Sequence, residues 1–174
     1  MDAQNLRSII KSSRDILRTD DGLSSDVDRI PQITWILFLK CFDDYEKNRK
    51  IVDKKYVEVI PKGFRWRDWA EEKDGEKILT GDDLKNFVNN ELFPKLSTLV
   101  SKKGIEQRDI INSVFRQFYN TIQSGFILRK VVNKIGEINF VSTDDIHTLG
   151  SYYENMLVEM RDAAGKNGEF YTPR

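Results

Sequence analysis

The chain has 174 residues, and its 28 Lys and Arg exactly offset 28 Asp and Glu, so the formal net charge is zero. That length suits one domain of ordinary size, and the neutral balance excludes a globally basic nucleic-acid binder; any DNA contact must come from local patches. The single cysteine, Cys41, excludes an internal disulfide and agrees with a reducing compartment. No charged-then-apolar-then-cleavage pattern opens the sequence. The longest apolar run, Ile33 to Leu39, is far too short to cross a bilayer. A cytoplasmic protein with no membrane partner is the expectation.

Residues 3 to 18 read as an amphipathic helix, with Leu6, Ile9, Ile10, Ile16 and Leu17 on one side at helical spacing. Arg7, Lys11, Arg14 and Arg18 fall at i, i+4, i+7 and i+11 and form one basic stripe. Such a stripe either follows a phosphate backbone or is a solvated face with ordinary salt bridges. Thr19-Asp20-Asp21-Gly22 ends the helix with turn residues. Ser24, Ser25 and Asp26 are caps for a short turn, and Pro31 suits the first turn of the next helix. Ile33 to Phe42 is apolar on almost every side, which marks a central core helix. Cys41 within it reads as a small core residue. Asp43 and Asp44, without further acids or a histidine beside them, read as a solvated helix end rather than a metal site.

Residues 51 to 80 show no clear period and are expected as long loops, with at most a minor local β pairing over Lys54 to Ile60. Phe64-Arg65-Trp66-Arg67-Asp68-Trp69 interleaves aromatics with arginines. It either stacks on unpaired bases or docks a short helix on the core through Trp66 and Trp69. Thr80 to Asp83 starts a helix whose buried stripe is Leu84, Phe87, Val88, Leu92 and Phe93. Pro94 should kink or end it near Phe93. Further helices are expected over Ile105 to Ile122 and Phe126 to Ile135. The last, about Asp144 to Ala163, opens on a Ser142/Asp145 pair close to a capping box. His147, the only histidine, has no partners for a metal site, so no metal ligand set is expected. The fold class is all-α: an irregular or orthogonal helical bundle.

Two stretches near the end carry a resemblance. Leu149-Gly150, Tyr152-Tyr153-Glu154 and then Ala163-Ala164-Gly165-Lys166-Asn167-Gly168-Glu169-Phe170-Tyr171-Thr172-Pro173-Arg174 are similar to the junction in the modification (M) subunit of type I restriction-modification systems. Leu17-Arg18 and Phe38-Leu39-Lys40 match the N-terminal region of that family more loosely. The resemblance implies a helical N-terminal domain over residues 1–163. Residues 164–174 would be a linker and the first residues of an absent adenine-N6 DNA methyltransferase domain. It also implies that Glu169, Phe170, Tyr171, Thr172, Pro173 and Arg174 line the S-adenosylmethionine pocket of the full-length protein. The partners it implies are double-stranded DNA, a specificity (S) subunit, a second M subunit and a restriction (R) subunit.

The sequence departs from a complete methyltransferase in one decisive way. Enzymes of this kind hold the flipped adenine with an Asn/Asp-Pro-Pro-Phe/Tyr tetrapeptide. Here the prolines are 31, 61, 94 and 173; none is followed by another, and none is preceded by Asn or Asp. No catalytic residue is therefore expected in this chain, and the chain by itself is expected neither to methylate nor to bind S-adenosylmethionine. Two roles remain: a DNA-clamping part of the enzyme through Arg7, Lys11, Arg14 and Arg18, or a protein-interaction module for M–S or M–M assembly that does not touch DNA.

Overall fold

A computed structural model describes residues 3–72, 78–101, 105 and 107–140. Its elements are α1 (Ala3–Leu17), α2 (Asp26–Val52), α3 (Trp66–Trp69), α4 (Gly81–Phe87), a π-helical turn (Val88–Leu92), α5 (Phe93–Ser97), α6 (Arg108–Phe115) and α7 (Gly125–Gly136). No strand occurs among the described residues, so the class is all-α as the sequence implies. The expected helix at 144–163, its Ser142/Asp145 start, His147 and the tail Glu169–Arg174 lie outside the described residues.

α2 is the axis of the bundle. It buries Ile30, Ile33, Trp35, Ile36, Leu37 and Leu39, the near-continuous apolar run that marks a helix covered on most sides. α1 lays Leu6, Ile9, Ile10 and Leu17 against this core, packing on both α2 and α7. α4 packs on α7, and α5 packs on α6. An aromatic chain ties the layers together: Trp35 meets Phe93 edge-on at 5.1 Å, and Phe93 meets Phe115 at 5.2 Å. Edge-to-face pairs of this kind add to the burial of their area.

Three expectations need correction, and one bound holds. Pro31 is not in the first turn of its helix, because α2 begins at Asp26. The start is set by Ser25 and Asp28: the Asp28 carboxylate accepts the Ser25 backbone N–H at 2.9 Å and the Ser25 hydroxyl at 2.8 Å. That reciprocal contact lies where local hydrogen bonding outweighs the proline signal.

Pro94 does not end its helix. The preceding turn widens to π geometry over Val88–Leu92, with Phe93 N–H reaching Val88 C=O, and α5 continues with Pro94 in its first turn. A proline there lacks a donor that the first turn does not need.

The helix expected over 105–122 stops at Phe115, and Ile110 is exposed. Residues 118–124 run without helix because other groups take their backbone. Gln32 Nε2 donates to Tyr119 C=O, and Gln32 Oε1 accepts Thr121 N–H and the Trp35 indole N–H. Asp20 then accepts the N–H groups of Gln123 and Ser124.

Lys54 to Ile60 forms no β pairing, which stays within the sequence's expectation of at most a minor one. Asp53–Tyr56 closes a turn, and the Glu46 carboxylate accepts Val59 N–H and the Tyr56 hydroxyl.

Candidate nucleic-acid interface

The four cations of the α1 stripe share one helix but not one environment. Arg7, Lys11 and Arg18 are exposed, whereas Arg14 is half-buried. Arg14 Nη2 donates to Asp26 Oδ2 at 2.6 Å, which fastens α1 to the first turn of α2. Burial works against the Asp26 carboxylate, but the guanidiniums of Arg14 and Arg29 outweigh it and hold the group below the usual range. Arg18 bridges to Asp15 at 2.7 Å on the surface. Among the described residues Arg7 and Lys11 make no ion pair, so they are the part of the stripe whose charge is uncommitted there.

The Phe64–Trp69 segment is not a base-stacking platform. Trp66 and Trp69 are buried, touching edge-on at 5.4 Å, and Trp69 rests on Phe87. Both arginines are occupied: Arg65 pairs with Glu58 and Asp68, and Arg67 with Glu58 and Asp43. α3 thus docks on the core, and the interleaved arginines serve to satisfy acids beneath it.

Those acids also change the reading of Asp43 and Asp44. Both are buried rather than solvated. Asp43 pairs with Arg67 at 3.0 Å and with Lys47 at 3.1 Å. Asp44 takes Lys40 at 2.8 Å and accepts Phe140 N–H at 3.0 Å. Burial raises the Asp43 carboxyl, with Arg67 and Lys47 opposing. Among the described residues no group of three or more His, Cys, Asp or Glu can hold a metal ion. Cys41 is partly buried, and burial pushes its thiol up to about 11, which leaves it protonated and a poor nucleophile.

Three buried polar residues escape sequence reading. Asp20 accepts Gly22, Gln123 and Ser124 N–H groups, and Gln32 holds the segment just before them. The partners of Asp20 on that segment lie more than 100 residues away, so nothing local announces them. Arg129 is buried on α7, donating Nη1 to Ala70 C=O at 3.2 Å, and burial lowers it to about 10. Its sequence position reads as the outer face of a helix. No helix among the described residues is long and apolar enough to cross a membrane.

Comparison with known proteins places this fold. The family model described as HsdM N-terminal domain matches residues 6–135. The chain is 40% identical over 171 residues to the type I restriction enzyme EcoEI methylase subunit of Escherichia coli, covering 98% of this chain and 34% of that protein. It superimposes, with a TM-score of 0.85 and 45% identity, on the crystal structure of a modification subunit of a putative type I restriction enzyme from Vibrio vulnificus YJ016. That match covers 99% of this chain and 38% of the Vibrio chain. A second solved chain, from work on complex assembly and conformational transition of the type I R-M system, matches with a TM-score of 0.73 and 30% identity. The chain spans about a third of the length of the relatives it matches. A match over most of the described helices, with identity at this level across nearly the whole chain, assigns the fold and the lineage together: this chain belongs to the family of HsdM N-terminal domains.

Proposed function

We propose that this chain is the N-terminal helical domain of a type I DNA methyltransferase subunit, and that it holds DNA against the rest of the assembly through α1. In this reading residues 1–163 form the domain, and residues 164–174 lead into a methyltransferase domain. Glu169, Phe170, Tyr171, Thr172, Pro173 and Arg174 border the S-adenosylmethionine pocket of the full-length protein. The full-length protein transfers a methyl group from S-adenosylmethionine to adenine N6 in a sequence chosen by a specificity subunit. The observation that carries the DNA role is the pair of exposed, uncommitted cations one turn apart, Arg7 and Lys11. Phosphate contacts of this kind supply sequence-independent affinity and release counterions.

The test is charge reversal in the full-length protein with its specificity subunit. Arg7→Glu with Lys11→Glu should weaken DNA binding and reduce the slope of log K against log salt by about 2, one for each lost phosphate contact. An unchanged slope rejects the role. The second reading, an assembly module that does not touch DNA, is favoured by one observation. Arg14 and Arg18 are already engaged by Asp26 and Asp15, which halves the stripe available to phosphate. On that reading the double variant binds DNA as the parent does at every salt concentration.

A further inference from the structure

Among the described residues two cations are buried, Lys40 and Arg129, and their surroundings differ. Lys40 Nζ, on α2, donates to both oxygens of Asp44, at 2.8 and 2.9 Å. Arg129, on α7, is 6% exposed and bonds to no carboxylate among the described residues. Its Nη1 donates to the Ala70 carbonyl at 3.2 Å, while Nε and Nη2 are buried and make no hydrogen bond there. The half-buried arginines 14, 29, 65 and 67 each hold at least one carboxylate. Arg129 is thus the cation taken furthest from water with the least to compensate it. A charge in that position needs a counter-charge or several hydrogen bonds.

The chemistry of the unmet groups points one way. The Nε–H and one Nη2–H of a guanidinium lie side by side in a plane and match two oxygens of a carboxylate or phosphate. The buried unpartnered groups of α3, whose end is capped by the same Ala70, are donors as well: the indole N–H groups of Trp66 and Trp69. An excess of donors beside a buried positive charge suits an oxyanion and repels a cation.

We infer that Arg129 is an oxyanion-binding residue, its Nε–Nη2 edge taking two oxygens of one carboxylate or phosphate while Nη1 stays on Ala70. Two sources can supply that group. The first is within the chain. Glu72 is exposed and is the acid whose field reaches Arg129. It lies two residues beyond Ala70, a span of at most about 7 Å, so a local turn brings its carboxylate to the guanidinium. Glu71 before it is already held by Lys47 of α2 at 2.8 Å. A Glu72–Arg129 pair would therefore strap the end of α3 between α2 and α7. The second source is a free oxyanion from solution.

The test follows the Arg129 Nε–H by NMR in the full chain, as its rate of exchange with water in chloride buffer. If Glu72 supplies the oxyanion, Glu72→Gln should speed exchange about tenfold or more, the loss of one hydrogen bond to a charged group. Glu71→Gln should leave the rate near that of the parent. If the oxyanion comes from solution, added inorganic phosphate should slow exchange in the parent to a plateau, and Glu72→Gln should respond as the parent does. Position 72 is exposed, so the variant keeps the fold, which far-UV circular dichroism checks. The inference is overturned if parent and Glu72→Gln exchange at the same rate and phosphate changes neither, because burial alone then shields the group. It is also overturned if Glu71→Gln speeds exchange as much as Glu72→Gln does, because the effect then belongs to the segment and not to a carboxylate on Arg129.

Discussion

Two buried carboxylates in this domain do opposite work. Asp20 is almost fully covered and accepts three backbone N–H groups, one in its own turn and two at Gln123 and Ser124. Replacing it with alanine removes a charged acceptor from three part-buried backbone N–H groups, and a hydrogen bond to a charged group contributes about 1.5–3 kcal/mol, less where water can replace the acceptor. Asp20→Ala should therefore lower the unfolding free energy by about 3 kcal/mol in urea titration, with the 118–124 segment losing amide protection first. Glu46 is also covered, and its Oε1 accepts Val59 N–H and the Tyr56 hydroxyl, but no cation among the described residues bonds to it. Burial raises its carboxyl above the usual value, against those hydrogen bonds. A raised folded value means that the folded state holds its proton longer than the unfolded state does. Stability from this group is thus full below the unfolded value and falls as pH rises through the folded one. Glu46→Gln keeps an oxygen acceptor for Val59 and carries no charge to bury. It should stabilise the domain at about pH 8 relative to the parent and have a smaller effect at about pH 5, read from urea midpoints at both. Equal effects at the two pH values would show that desolvation of Glu46 does not matter to the fold.

At the scale of elements, most of the bundle is written in spacing, and the exceptions have causes that spacing does not carry. α1 and α7 lie within a residue of where periodicity puts them, because each buries one stripe and is bounded by turn residues. Trp66 and Trp69, three apart, dock α3 as their spacing allows. The departures at Pro31 and residues 116–122 arise where a distant or reciprocal hydrogen bond outweighs the local signal, whereas Pro94 is absorbed by the π-helical turn before it. Ile122 and Phe118 keep helical spacing to Phe115, yet Gln32 and Asp20 claim the backbone that a helix would use. The basic stripe was legible as a pattern; that Arg14 belongs to Asp26 was not, because the pairing depends on the angle between α1 and α2. The same dependence on tertiary approach appears where α4 meets α7. A Cβ added to Gly125 would lie 1.8 Å from Gly81 C=O, so the two helix starts touch backbone to backbone. Gly81 itself sits at φ 55°, a conformation that glycine adopts freely. Gly125→Ala must separate the helices, and overpacking of that kind costs about 1–3 kcal/mol or more. Thermal unfolding should show a lower Tm for Gly125→Ala, whereas alanine at Gly136, where the nearest atom is 3.7 Å away, should leave Tm near that of the parent.

For the whole molecule, zero net charge conceals a division of labour that mutation can expose. Most cations near the core are internal fasteners: Arg65 and Arg67 on Glu58, Lys40 on Asp44, Arg14 on Asp26. Arg7 and Lys11 have no such duty, yet they share the helix face with Arg14. A DNA-holding α1 therefore makes two different predictions along one stripe. Arg14→Gln breaks a partly buried pair and leaves Asp26 with Arg29 alone, so the domain should melt at a lower temperature. The salt slope of DNA binding by the full-length complex should remain that of the parent, because Arg14 has no charge to spare for phosphate. Arg7→Gln should do the reverse: Tm unchanged, slope reduced by about 1. Measuring melting and salt dependence on both variants separates a cation that holds the fold from one that holds the ligand. If Arg14→Gln flattens the slope as much as Arg7→Gln does, the Arg14–Asp26 pair opens on DNA, and all four residues of the stripe act as one surface. If neither variant changes the slope, α1 is an assembly helix and the DNA is held elsewhere in the complex.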